Sequence, residues 1–134
     1  MSRTLRPAVV IYAKDLDRVA RFYASVFELT ETARADDYVS LSGISYAITV
    51  VRIRAQLASQ IEISTPPKRR ENVAVKLVLP VESLDRAREK VAKLGGAIGA
   101  VEKQWQFDGA IRCDGYDPEG NVIQFAEAAS PSPV

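Results

Sequence analysis

The beginning of the chain combines a short apolar run with a longer amphipathic pattern. Residues Ala8 to Ala13 are apolar and rich in β-branched side chains, which favours a buried strand over a helix of that length. Apolar side chains then recur every three or four residues from Leu16 to Phe27, and Asp15 stands where a helix N-cap is expected. The pattern therefore predicts a strand followed by an amphipathic helix.

Three short β-rich stretches follow the helix and complete a βαβββ unit over residues 6–63. The predicted strands are Leu29 to Ala35, Tyr38 to Leu41 and Ile44 to Ile53, with polar pairs between them that are typical of turns. The stretch from Arg54 to Ile63 is ambiguous. Residues 64–71 contain two prolines and a charge cluster, which continue neither a helix nor a strand. We interpret them as a linker.

The same order of elements begins again in residues 72–127. The pattern predicts a strand over Val73 to Val81 and a helix over Glu82 to Leu94, with Gly95-Gly96 as its stop. The three further strands predicted are Ala97 to Lys103, Ala110 to Tyr116 and Val122 to Glu127, with Asp117 to Asn121 as the turn before the last one. Residues 128–134, with their Ser-Pro repeats, are predicted to form a disordered tail.

The two halves also share sequence. Leu16-Asp17-Arg18 and Leu84-Asp85-Arg86 are identical triplets 68 residues apart, at equivalent places in their predicted helices. The same offset places Val9-Val10-Ile11 on Leu77-Val78-Leu79. Together with the shared order of elements, this indicates an internal duplication.

Charge and composition exclude several classes of partner. Lysine and arginine total 18 against 17 aspartate and glutamate, and no basic block is interleaved with aromatics, so we expect no nucleic-acid partner. Charges interrupt every apolar stretch, so we expect no membrane span. With Cys113 as the only cysteine and no apolar signal core near the N-terminus, we expect a soluble, cytoplasmic protein. Histidine is absent, which removes the commonest general base.

Three signatures in this order resemble the vicinal-oxygen-chelate superfamily, which includes glyoxalase I, bleomycin-resistance proteins, extradiol dioxygenases and fosfomycin-resistance enzymes. They are the N-terminal strand running into Asp15-Leu16-Asp17-Arg18, the Phe22-Tyr23 pair, and Asp117-Pro118-Glu119-Gly120-Asn121 before the last strand. The resemblance covers roughly Arg6 to Glu127. It implies an α+β fold in which two βαβββ repeats form an open, cup-shaped mixed sheet within a single domain, 1–134. It further implies a ligand inside the cup and a homodimer.

The resemblance also implies four positions for metal ligands, on the first and fourth strands of each unit. This chain has Ala8, Ala47, Lys76 and Gln124 there. Two methyl groups, one ammonium and one amide do not chelate a catalytic divalent ion. We therefore predict no metal and no cofactor.

Strand alternation suggests which side chains face the inside of the implied cup. It places Ala8, Tyr12, Ala47, Lys76 and Gln124 there. Further candidates for ligand binding, because of their phenol, aromatic or guanidinium groups, are Tyr38, Trp105, Phe107 and Arg112. Lys76 is a cation within a predicted apolar strand, where it either receives an anionic ligand or is exposed and ion-paired. Trp105 and Phe107 either form an aromatic lid or make a dimer or core contact. Arg112 binds an anion or pairs with Asp114 or another surface acid.

Three hypotheses for the function follow. The first is a dimeric, metal-independent protein that binds a small aromatic or anionic organic molecule, as the resemblance to bleomycin-resistance proteins implies. The second is a lyase, isomerase or dioxygenase related to glyoxalase, which uses acid–base chemistry of Lys76 or a tyrosine such as Tyr12, or a metal site the sequence does not reveal. The third is a module for protein–protein association, in which the chain's own side chains fill the cup.

Overall fold

The structure is a computed structural model that describes residues 5–129. It has a mixed α+β architecture in which two sheets of mixed strand direction each carry helices. The chain divides into two compact units, of which the first ends at Glu62 and the second begins at Ile63. We call them unit 1 and unit 2.

Unit 1 is a βαβββ arrangement with one short additional helix. Its elements are β1 (Ala8–Ala13), α1 (Leu16–Val26), β2 (Thr30–Arg34), β3 (Tyr38–Ser42), β4 (Ala47–Arg52) and α2 (Ala55–Ala58). The strand order in the sheet is β1-β4-β3-β2, with β1 parallel to β4 and the other pairs antiparallel. The ambiguous stretch after β4 thus begins with a single helical turn.

The buried side of unit 1 follows from the apolar periodicity of its elements. Asp15 caps α1 as predicted, because its carboxylate accepts a hydrogen bond from the Arg18 amide at 3.2 Å. The helix packs on β3 and β4. The fully buried side chains include Leu16, Val19, Phe22 and Tyr23 from α1, and Val39, Leu41, Ile48 and Val50 from the sheet. Burial of each large apolar side chain contributes about 1.5–3 kcal/mol.

Unit 2 repeats this topology and adds a strand. Its elements are β5 (Leu77–Pro80), α3 (Leu84–Lys93), β6 (Ala97–Ile98), β7 (Trp105–Phe107), β8 (Ala110–Tyr116) and β9 (Val122–Ala128). The order is β5-β9-β8-β6, with β5 parallel to β9, and β7 pairs with the other end of β8. The duplicated arrangement of elements predicted from the sequence is therefore present.

The first strand of unit 2 is shorter than predicted. The prediction of a strand over Val73 to Val81 is wrong at both ends, because β5 covers only Leu77–Pro80. The first residue pair joins Leu77 to Ile123 on β9, and the turn before β9 contacts a different segment of the chain. A strand needs a partner for its backbone groups, so the residues before Leu77 lie outside the sheet. Lys76 consequently precedes the strand in which we had placed it.

The middle of unit 2 also differs from the prediction. The strand expected over Ala97 to Lys103 ends at Ile98, and a 3-10 turn occupies Val101–Lys103. The strand β7 was not predicted from the sequence. At the C-terminal end, Ala128 completes β9 and the Ala129 amide donates to the Gly109 carbonyl at 2.9 Å. The rest of the predicted tail lies outside the described residues.

The turn before β9 is organised by a buried carboxylate. Asp117 Oδ1 accepts hydrogen bonds from the amides of Glu119 and Asn121, at 2.8 and 3.0 Å, and Oδ2 accepts one from the Asn121 side chain at 2.8 Å. Gly120 adopts a φ of 86°, a backbone conformation that residues with a Cβ atom rarely adopt. The conformation of the turn therefore explains why it contains Asp117, Gly120 and Asn121.

Each sheet has one face covered by its helix and one face that this helix does not cover, which we call the open face of the unit. In β4, Ile48 and Val50 are buried while Ala47 and Thr49 are only half-buried. In β8 and β9 the alternation is the same, because Cys113 and Phe125 are buried and their neighbours are not. Among residues 5–129, no helix is long and apolar enough to cross a lipid bilayer.

Candidate functional site

The open face of unit 1 carries neutral side chains in register. Tyr12 on β1, Val51 on β4 and Tyr38 on β3 form one row across the sheet, and Tyr12 is 64% exposed. Ala8 and Ala47 are direct partners at the other end of the same pair of strands. Four predicted candidates therefore lie on one face, which offers phenol groups and apolar surface but no charge from these rows.

The open face of unit 2 carries a hydrogen-bonded chain of charged and amide groups. Arg112 donates from Nη1 to the Gln124 side-chain oxygen at 2.8 Å, and Gln124 donates from Nε2 to Asp114 Oδ1 at 3.3 Å. The other Asp114 oxygen accepts from Lys76 Nζ at 2.8 Å. We call these four residues the polar row. Neighbouring strands and the i, i+2 spacing on β8 bring them together.

Two exposed aromatic rings flank the arginine end of the polar row. Trp105 pairs directly with Arg112 across β7 and β8, and Phe107 pairs with Ala110. The guanidinium carbon of Arg112 lies 5.0 Å from the centre of the Phe107 ring, and Arg112 Nε donates to the Phe107 carbonyl at 3.2 Å. The exposed fractions are 39% for Trp105 and 63% for Phe107. The interpretation of these rings as core contacts is therefore wrong for the described residues.

The ion pairing within the polar row differs from the expectation. One of the two alternatives for Arg112 was a pair with Asp114 or another acid, but the partner of Asp114 is Lys76, and Arg112 binds an amide and a carbonyl. From the sequence, Asp114 was only a possible partner of Arg112 and not a site residue. Its position two residues from Arg112 on a strand was the one available signal, because that spacing places both on one face.

Two cavities of ligand size lie within the units. One, of about 470 Å³ in unit 1, is lined partly by Asp17, Arg21, Glu31 and Arg34, so its charges balance. Arg34 binds Asp17 at 2.7 Å and Glu31 at 2.8 Å, and these hydrogen bonds lower the pKa of both carboxyl groups. The other, of about 330 Å³ in unit 2, is bordered by Lys76 at the end of the polar row.

Comparison with known proteins assigns the scaffold. The model of the glyoxalase-like domain matches residues 8–126, which is nearly all of the described chain. The chain belongs to the glyoxalase-like family. A sequence search of curated proteins found no significant match.

Solved structures from the same group share the fold of this glyoxalase-like chain. A glyoxalase/bleomycin resistance protein/dioxygenase family enzyme from Burkholderia phytofirmans PsJN is 20% identical, with a TM-score of 0.67 over 90% of this chain and 96% of that one. The fosfomycin resistance protein FosX from Mesorhizobium loti is 15% identical, with a TM-score of 0.62 over 96% and 95%. A bleomycin resistance determinant encoded on transposon Tn5 is 14% identical, with a TM-score of 0.60 over 93% and 98%. At these identities the likeness shows the fold alone.

The residues at the four implied metal-ligand positions do not fit a divalent ion. Ala8 and Ala47 offer no donor atom, and Lys76 is an ammonium bound to Asp114. The single amide oxygen of Gln124 already accepts from Arg112. Within residues 5–129, no three His, Cys, Asp or Glu side chains are grouped so that they could hold a metal ion. The polar side chains at these positions form hydrogen bonds and an ion pair but do not supply a set of metal ligands.

Proposed function

We propose that this glyoxalase-like protein binds a small, planar organic acid on the open face of unit 2, without a metal ion. The observation that carries the proposal is the polar row, which starts between two exposed aromatic rings and ends in a lysine ion pair. Such a surface supplies stacking area at one end and hydrogen-bond donors along its length. Bleomycin and fosfomycin resistance proteins have the same fold, and a binding role is in keeping with that likeness.

The arginine end of the row is suited to an aromatic carboxylate. Arg112 is held by hydrogen bonds to the Phe107 carbonyl and to Gln124, so its planar guanidinium is oriented before a ligand arrives. A planar guanidinium presents paired donors that match a carboxylate. Trp105 stands directly opposite Arg112 on β7 and offers the large ring on which a planar ligand stacks. Ala126, the other strand neighbour of Arg112, is small and leaves space above the sheet.

Trp105 gives the proposal a direct test, because it is the only tryptophan in the chain. We expect saturable quenching of its fluorescence by aromatic acids such as benzoate, salicylate and naphthoate, and weaker quenching by their neutral amides. Arg112→Gln should weaken the binding of the acids about tenfold, as the loss of a charge-assisted hydrogen bond predicts. Trp105→Ala should weaken the binding of the acids and of the amides alike. Calorimetry measures this, because the variant has no tryptophan fluorescence.

Two exposed residues serve as matched controls. Leu57→Ala removes an exposed apolar side chain from α2, and Arg86→Gln removes an exposed positive charge from α3. Both variants should bind as the parent chain does. Equal affinity for acids and amides, or no effect of Arg112→Gln on the acids, would overturn the role given to the polar row. Absence of saturable binding across planar acids and planar antibiotics would overturn the proposed function itself.

Metal independence is part of the proposal and has its own measurement. Protein purified without chelator should contain far less than one equivalent of nickel, zinc, iron or manganese by mass spectrometry. A stoichiometric metal would instead support the hypothesis of a conventional glyoxalase-type or dioxygenase-type enzyme. An enzyme using Lys76 or Tyr12 for acid–base chemistry remains an alternative prediction, and it requires the bound acid to be converted during prolonged incubation followed by NMR.

The remaining expectations concern assembly and location. The hypothesis of a module for protein–protein association stays a prediction. We propose a homodimer, which light scattering of the eluting protein would detect as twice the mass of one chain. A cytoplasmic location also stays a prediction, and fractionation of cells that express the protein would test it.

A further inference from the structure

An irregular segment of unit 2, residues 69–76, lines a cleft beside the sheet. The cleft has a volume of about 330 Å³ and is also lined by Val122 at the beginning of β9. Val73 and Val75 line it as well, and both side chains are exposed in the chain. A cavity of this size, partly apolar and open to a ligand, falls within the range found for small-molecule sites.

The segment is held in place by the turn that precedes β9. The Arg70 amide donates to the Gly120 carbonyl at 2.8 Å, and Arg70 Nε donates to the Glu119 carbonyl at 3.1 Å. Gly120 approaches the segment so closely that a Cβ atom there would lie 2.0 Å from the Lys68 carbonyl oxygen. Because Asp117 fixes the turn in its conformation, the cleft is formed before any ligand binds.

Cations dominate the lining of the cleft. Arg69, Arg70 and Lys76 line it with one carboxylate, Glu71, and the Lys76 ammonium is also paired with Asp114 at 2.8 Å. The Arg69–Glu71 pair is long, at 3.4 Å, and exposed, so it opposes ligand binding only weakly. Within residues 5–129, the two terminal nitrogens of Arg70 make no hydrogen bond, although Nε is fixed. The cleft thus contains the oriented guanidinium of Arg70, whose terminal nitrogens are available to donate to a ligand.

We propose that this cleft is a binding site for a small oxyanion, a phosphate or carboxylate group. Arg70 supplies paired donors to two oxygens of the anion, and Arg69 and Lys76 add positive charge from either side of the segment. The apolar side chains of Val73, Val75 and Val122 line the same cleft and offer contacts to the organic part of a ligand. This site is separate from the aromatic end of the polar row and needs no aromatic ligand.

Inorganic phosphate and acetate are suitable probes, because neither has a ring that could bind Trp105. In amide NMR spectra at constant ionic strength, titration with either ion should shift the signals of residues 69–76 and Val122 in a saturable way. Chloride should not. Arg70→Gln should weaken phosphate binding about tenfold, and Arg70→Lys, which keeps the charge but loses the paired donors, should weaken it less. Binding of phosphate but not acetate would show that the site selects phosphate groups. Binding of both ions would show that it also accepts carboxylates.

Other variants keep the proposal open to refutation if Arg70→Gln impairs folding. The double variant Arg69→Gln, Lys76→Met changes two exposed side chains and should also weaken phosphate binding about tenfold, whereas Arg86→Gln should leave it unchanged. Shifts that do not saturate, that chloride reproduces, or that persist in the double variant would overturn the proposal. Failure here leaves the aromatic-acid site intact, and failure of the fluorescence test leaves this site intact.

Discussion

The two units have the same order of their four main strands and different chemistry on their open faces. In unit 1 the row across the sheet is Tyr12, Val51 and Tyr38. In unit 2 the corresponding face carries Lys76 and Asp114 in an ion pair, joined to the amide of Gln124. The comparison teaches that the buried face, where apolar packing is required, maintains the fold of both units. The open face is free of that requirement and has diverged.

The turns before the last strands differ in what organises them. In unit 1 a hydrogen bond from the Gly43 amide to the Tyr46 carbonyl, at 2.8 Å, closes the turn, and the Gly43 carbonyl accepts a further one from Arg6. In unit 2 the turn is organised by Asp117 and additionally binds Arg70. Both turns thus accept a hydrogen bond from an arginine of an earlier segment, but a buried carboxylate organises only the turn of unit 2 among the two.

The largest expected effect tests whether the buried face alone maintains the fold. Ile48→Lys places a charge where the side chain is fully buried, and should cost more than about 4 kcal/mol in the free energy of unfolding. Ala8→Lys introduces into unit 1 the residue that unit 2 has at the repeated position, on an exposed site, and should cost less than about 0.5 kcal/mol. Urea denaturation followed by circular dichroism measures both. Similar losses for the two variants would refute the distinction between the faces.

The next effect concerns the turn of unit 2. Gly120→Ala should lower the free energy of unfolding by about 3 kcal/mol or more, because an L-residue at positive φ is strained and the added Cβ meets the Lys68 carbonyl. Gly109→Ala is the matched control, since it also has a positive φ but meets no atom within 4 Å. That variant should lose only about 1–2 kcal/mol. Equal losses in a denaturation experiment would show that the contact with residue 68 has no energetic weight.

A smaller effect should appear in binding when the charge balance of the polar row is changed. Asp114→Asn removes the carboxylate that pairs with Lys76, so the affinity for phosphate should rise. We expect about a threefold increase, because a partly exposed ion pair contributes little free energy. Stability should fall by less than about 1 kcal/mol, because the Lys76 and Asp114 side chains are 44% and 27% exposed. Titration calorimetry and urea denaturation check the two statements. Weaker phosphate binding by the variant would contradict the role given to Lys76.

The smallest effect lies in the turn of unit 1. The Tyr46 hydroxyl is buried and has no hydrogen-bond partner among residues 5–129, so Tyr46→Phe should raise the free energy of unfolding by up to about 1 kcal/mol at neutral pH. Burial raises the pKa of Tyr46 from 10.0 to about 12. The unfolded chain therefore ionises first, and the parent protein loses stability as the pH rises through this window. The advantage of the variant should widen there, which denaturation curves at several pH values would show.

The sheet and helix pattern was largely predictable because it depends on local periodicity. Residues adjacent in the chain determine the β-branched run of β1, the Asp15 cap of α1 and the alternation along β8. The segment before β5 was not predictable in this way. Val73 and Val75 have the composition of a strand, but β9 offers partners only from Ile123 onward. Likewise, the three residues of β7 form a strand only because β8 lies beside them.

The candidate site divides along the same line. From the sequence, alternation placed Lys76 and Gln124 on one face, Arg112 was a candidate because of its guanidinium, and the duplicated topology was predictable as well. Only the tertiary structure decided that Asp114 joins Lys76 to Gln124, since Lys76 and Asp114 are 38 residues apart. It likewise decided that residues 69–76 border a cationic cleft against the turn of Gly120. Local order follows from the periodicity of adjacent residues, whereas these contacts depend on which strands and turns become neighbours in the folded unit.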